Sequence, residues 1–68
     1  MDETIRKALI EELMVPLWPH AGKALGLSRN STYKAFWSGQ IDGEKINGKI
    51  VAKTAPLRRR TGIEAEAA

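Results

Sequence analysis

Apolar residues recur at a helical period near the start of the chain, where Ile5, Leu9 and Leu13 stand at i, i+4 and i+8 with Ala8 beside them. The spacing predicts an amphipathic helix from Asp2 to Met14. Asp2 and Glu3 suit its positive N-terminal end. Val15 precedes Pro16 and is pushed out of the α region, so the helix should stop there. Ile10 and Met14 widen the stripe, which faces either the domain's own core or a partner subunit.

Residues 17–41, reading LWPHAGKALGLSRNSTYKAFWSGQI, hold the densest set of helix start and stop signals. Pro19 suits a first helical position, because its fixed φ fits and its missing N–H would have been unpaired there. That helix should run to Leu25 and stop at Gly26, a residue able to take the left-handed conformation of a helix end. Trp18, standing where a capping hydroxyl is more usual, should pack as a hydrophobic residue. Leu27 anchors the turn. Ser28 is the predicted N-cap of a second helix lasting to Gly39, its hydroxyl placed to accept an N–H from Asn30 or Ser31. At about 100° per residue, Asn30, Tyr33, Lys34 and Trp37 fall on one side of that helix, and Thr32, Ala35 and Phe36 on the other.

Period-two patterning takes over after Ile41. Asn47-Gly48, flanked by Glu44 to Ile46 and Lys49 to Ala52, is a strong hairpin signal because both turn residues tolerate positive φ. Two registers stay open. A two-residue loop pairs Ile46 with Lys49 and puts Ile46 and Val51 on one face, whereas a three-residue loop pairs Ile46 with Ile50. Thr54 is the expected cap of a last short helix with Pro56 in its first turn, ending at Gly62, with Leu57 and Ile63 as core contacts. Residues 64–68 carry too little apolar surface to order themselves and read as a frayed tail.

At 68 residues the chain is one small domain, too small for a large catalytic cleft. It has no cysteine, so no disulfide or thiolate zinc site, and its single histidine, His20, reads as an exposed first-turn residue. No nucleophile–base pair, carboxylate pair or phosphate loop is present, which argues against an enzyme. No stretch approaches the roughly 20 apolar residues of a membrane span, and residues 1–14 are too charged for a signal sequence. The expectation is a cytoplasmic protein with no metal, cofactor or membrane partner.

Charge changes the picture by its distribution. The formal total is +3, but residues 1–15 and 61–68 each carry −2 and residues 16–60 carry +7. The basic stretch coincides with the helix pair and the hairpin, as expected of a surface for nucleic acid. Arg29, Asn30, Ser31, Tyr33 and Lys34 are the candidates on the second helix. Asn30 is the candidate base reader, since its amide pairs in bidentate fashion with adenine, and Arg29 suits guanine or phosphate. Lys45, Lys49 and Lys53 on the hairpin and Arg58, Arg59 and Arg60 on the last helix suit phosphates, although three arginines at a helix C-terminus also complement its dipole. Trp37 either meets DNA or packs against the hairpin.

The spacing of Ala21, Gly22, Leu25, Gly26, Leu27 and Ala35 resembles the helix-turn-helix of DNA-binding proteins, with Gly22 at the close approach of the two helices and Thr32 as a polar departure. More widely, Ala21, Leu25-Gly26-Leu27-Ser28-Arg29, Ser31, Tyr33, Phe36, Ser38-Gly39 and Ile41, followed by Gly48 and Leu57-Arg58-Arg59, resemble the small winged-helix proteins of the excisionase and prophage-regulator group, relatives of the MerR-type DNA-binding domain. Met1 to Pro16 lie outside the resemblance. Asp42 departs from it, standing where that group usually has proline.

The resemblance implies a mainly α fold with a small β-hairpin: an N-terminal helix and linker over 1–16, a winged helix-turn-helix over 17–63, and the tail. It implies double-stranded DNA as partner, read by the second helix in the major groove with the hairpin on the backbone or minor groove. Excisionases are recombination directionality factors. They bind tandem sites cooperatively with other copies of themselves, bend DNA, and favour integrase-mediated excision of a mobile element. The readings beside it are a small transcriptional regulator on a palindrome and a protein-interaction module or antitoxin that docks through Leu9, Leu13 and Trp18.

Overall fold

Asp2 starts the first helix by accepting the Thr4 N–H at 2.7 Å. Residues 2–63 are described by a computed structural model of the chain. Helix α1 covers Glu3–Glu11, with Ile5 and Leu9 buried. The Thr4 hydrogen bond stabilises the charged carboxylate, and it holds the Asp2 pKa below the ordinary value of 3.8. A lowered carboxylate pKa means that the cap contributes fully above the ordinary value and fades as pH falls through the lowered one. The Thr4 amide resonance, followed by NMR against pH, should therefore titrate with a midpoint below 3.8.

The helix is shorter than the apolar period predicts. Glu12 is already extended at the C-cap, and Leu13, expected in the buried stripe, is 89% exposed. The cause lies just beyond it. Met14–Pro16 form strand β1, and a chain held extended at Val15 before a proline cannot keep Leu13 in helical register. The predicted linker is thus a strand. Ile5, Leu9 and Val15 join one core with Leu17, Ala21, Ile41, Ala52 and Leu57.

A wide π-type turn, Leu17–Ala21, follows. Trp18 inside it is extended (φ −125°, ψ 134°), and the helical path resumes at Pro19. It runs directly into α2, Gly22–Ala24, and Gly26 adopts φ 74° just beyond. The wide turn also alters the expectation for His20, which is half-buried, with an Nδ1 that has no hydrogen-bond partner among the described residues. Leu27 N–H closes the turn on Gly22 O at 2.8 Å.

Ser28 accepts the Ser31 N–H at 3.2 Å and caps α3, Arg29–Trp37. Thr32 is completely buried on the inner side of α3, and its hydroxyl donates to Ser28 O at 2.6 Å. That local bond satisfies the polar departure at this position. A methyl group at Gly22 would run into Thr32 Oγ1 and lie 2.6 Å from Trp18 Cε3, so the two helices meet where only a hydrogen fits.

Strands β2, Gly43–Ile46, and β3, Lys49–Lys53, make the hairpin. Asn47 (φ 49°) and Gly48 (φ 80°) form the two-residue loop that pairs Ile46 with Lys49, resolving the register. Strand β1 adds to the other edge of β3, giving a three-stranded antiparallel sheet in the order β1-β3-β2. Val15 pairs with Ala52 on the core face, while Met14 pairs with Lys53 on the outer face. The expected hairpin is therefore present, and β1 extends it into a three-stranded sheet, giving a mixed helix-and-sheet fold.

Helix α4, Thr54–Thr61, ends at left-handed Gly62, with Leu57 buried and Ile63 packed on the core. Thr54 does not cap it. The hydroxyl turns instead to the end of α1, 2.6 Å from Glu12 O and 3.0 Å from Leu13 O. It also accepts from Arg58 Nη1 at 3.1 Å. Thr54→Val keeps the shape and removes these bonds from a fully buried position, and is expected to cost about 1–2 kcal/mol in a urea titration.

Candidate nucleic-acid interface

The α3 cap leaves its first turn pointing outward. Arg29, Asn30 and Ser31 are all exposed. Ser31 also accepts from the Ser28 hydroxyl at 3.0 Å, so its own oxygen belongs partly to the cap. The Asn30 amide makes no hydrogen bond among the described residues and is available for an external partner. Arg29 holds its guanidinium carbon 6.0 Å from the Tyr33 ring centroid, which restrains a long side chain beside Asn30. Lys34 is exposed one turn further along, beside a shallow hollow lined by Leu27, Ser31 and Ser38.

Tyr33 is half-buried rather than on a wholly free face. It lines a groove of about 360 Å³ between α3 and the hairpin, together with Pro16, Trp18 and residues 48–51. Lys49 also lines this groove, so the fold brings an α3 tyrosine and a hairpin lysine to one opening. Trp18 and Pro16 are contributors that the sequence reading missed. Trp18 reads from sequence as a packing or protein-docking residue, and nothing in its spacing signals a groove. Trp37 is 65% exposed, with its ring edge-on to that of Phe36 at 4.9 Å.

The hairpin lysines do not form one stripe. In the observed register Lys45 lies opposite Ile50, on the face that carries Ala52, whereas Lys49 and Lys53 lie on the outer face with Ile46 and Met14. Lys45 and Lys49 flank the Asn47-Gly48 tip, and Lys53 stands at the base.

The arginine run separates by role. Arg58 was expected among the phosphate contacts, and its Nη1 instead donates to Leu9 O at 2.7 Å and to Thr54 Oγ1 at 3.1 Å. The C-terminal end of α1 presents unpaired carbonyls to α4, and the guanidinium satisfies one of them. Arg60 donates to Gln40 O at 3.0 Å, and Arg59 is exposed. Lys53, Arg59 and Arg60 line a cleft of about 480 Å³ with Gln40, Asp42 and Leu57, at the C-terminal end of α3. The twelve candidates therefore resolve into a cluster on α3 and the hairpin tip, a second basic cluster at the hairpin base, Trp37 apart from both, and half-buried Arg58 bonded to α1.

No helix among the described residues is long and apolar enough to cross a membrane. Comparison with protein-family models, with curated proteins and with solved structures finds no match to this chain.

Proposed function

We propose that this chain is a winged helix-turn-helix protein that binds double-stranded DNA in a sequence-specific manner, with α3 in the major groove and the β2–β3 hairpin as the wing. The observation that carries the reading is the groove between them. A serine-capped helix with exposed Arg29, Asn30 and Lys34 adjoins a tight hairpin bearing Lys49, and Tyr33 and Lys49 both line the groove. Amide and guanidinium groups read base edges, while ammonium and phenol groups hold the sugar-phosphate strand between helix and wing. Within this class the resemblance to excisionases favours a recombination directionality factor. Such a protein binds tandem sites cooperatively, bends the DNA and promotes excision by an integrase, and it catalyses nothing itself.

The test is a mobility-shift salt series on DNA from the neighbourhood of the protein's own gene, with random competitor. Asn30→Ala should lower discrimination between specific and random DNA by roughly 5- to 150-fold, the equivalent of about 1–3 kcal/mol. Lys49→Ala should weaken all sequences alike and flatten the log K against log salt slope by about 0.9. Equal losses of specific and nonspecific binding in both variants would refute this division of roles, and no retarded band at low salt would refute DNA binding altogether. A second reading is a regulator binding a palindrome as a symmetric dimer, and a two-fold symmetric footprint would favour it over head-to-tail copies on direct repeats.

A further inference from the structure

Leu13 is 89% exposed, and it sits directly after two acidic residues. Glu11 lies 4.0 Å from Lys7, whereas Glu12 makes no ion pair among the described residues. The Glu12–Leu13 corner is thus an acidic and apolar knob held on a rigid base. Its backbone is fixed by Thr54, whose hydroxyl approaches Glu12 O and Leu13 O and whose N–H donates to Leu13 O at 3.1 Å. Met14 beside it is also exposed, so the two side chains leave contiguous apolar surface in water on an ordered backbone.

The cleft at the hairpin base has the opposite character. Lys53, Arg59 and Arg60 stand around it against the single carboxylate of Asp42, and Pro56 and Leu57 supply apolar lining. Arg60 is already oriented by its bond to Gln40 O. The knob and the cleft are neighbours on one molecule, because Met14, next to Leu13, pairs across the sheet with Lys53 of the cleft. Adjacent complementary patches suit a two-fold arrangement, in which each copy both gives and receives the same contact.

We propose that two copies of this chain pair reciprocally, Leu13 of each entering the cleft of the other with Glu12 against Arg59. The contact buries a small area, so the dimer is weak, with a dissociation constant of roughly 1 μM to 1 mM. It weakens with salt, as a partly exposed charge contact does. The inference stands apart from the DNA reading, since it concerns a different face and is tested without nucleic acid.

The test is sedimentation velocity of the full chain from roughly 1 μM to 1 mM at low salt. Concentration-dependent conversion to dimer is expected, with no larger species. Leu13→Ser and Arg59→Glu should each raise the dissociation constant at least about tenfold, and both positions are exposed, so the circular dichroism spectrum should not change. Glu12→Arg combined with Arg59→Glu should restore association. A monomer throughout the range, a dimer indifferent to Leu13→Ser, growth into open-ended oligomers, or no restoration by the charge exchange would each overturn the proposal. Failure here leaves DNA binding intact, and a protein that dimerises without shifting DNA loses only the DNA reading.

Discussion

Replacing Gly22 by alanine is expected to cost the fold about 2 kcal/mol, and replacing it by valine to abolish folding. Two effects of opposite sign compete. Alanine gains up to about 1 kcal/mol of helix propensity over glycine. Against this, the new methyl runs into Thr32 Oγ1 and lies 2.6 Å from Trp18 Cε3. Neither neighbour gives way easily. Thr32 is completely buried with its hydroxyl bonded to Ser28 O, and the Trp18 ring lies against Gly22 from within the turn that leads into α2. Overpacking of this kind costs roughly 1–3 kcal/mol or more, so the clash wins. A domain of this size holds only about 3–5 kcal/mol in reserve, and valine would exceed it. Gly26→Ala is the control. It meets nothing within 4 Å and is strained only by φ 74°, so it should cost about 1 kcal/mol. Chemical denaturation of the two alanine variants side by side checks the order, and a Gly22→Ala protein as stable as the parent would mean that α2 and α3 do not meet as described.

Arg58→Ala is expected to lower stability by about 2–3 kcal/mol, while Arg59→Ala changes it by less than about 0.5 kcal/mol. The two residues are adjacent in sequence and carry the same charge. They differ because Arg58 donates to Leu9 O and Thr54 Oγ1, bridging α4 to the end of α1, whereas Arg59 is exposed at the cleft. Removing Arg58 leaves the Leu9 carbonyl without this partner and strips a charge-assisted bond from the same network that Thr54 completes. Both bonds come from the single nitrogen Nη1, so losing that one group breaks both at once. Urea midpoints for the three proteins test this directly, and equal midpoints for Arg58→Ala and Arg59→Ala would place Arg58 outside the fold's support.

The parts of the fold legible from sequence are those set by local chemistry. Ser28 as a cap, the left-handed turn at Gly26, the close approach at Gly22 and the Asn47-Gly48 loop each follow from a constraint on one or two residues, and each is where it was expected. What escaped was decided by residues far apart in the chain. Nothing in Met14-Val15-Pro16 announces a strand, because three residues carry no period, and only β3 alongside makes them one. Leu13 obeyed the helical spacing and still ended outside, since the strand after it took precedence. The same holds at the candidate site. The exposed residues Arg29, Asn30 and Lys34 could be placed by helical geometry alone, but the groove lined by Tyr33 and Lys49 needed the hairpin's docked position, and the bond that ties Arg58 to Leu9 O needed α1 beside α4.

Strand β1 has one more consequence. A two-stranded hairpin alone would hinge at its base and sample many angles relative to α3. Here Met14–Pro16 pair with Val51 to Lys53 and continue at once into the turn that carries Trp18 and α2, so the hairpin and the helix pair are clamped into one rigid frame. On the proposed reading, the distance between the two reading elements is set before any duplex arrives. Little conformational entropy remains to be lost on binding, and sites whose spacing does not suit the frame are discriminated against by geometry as much as by base chemistry.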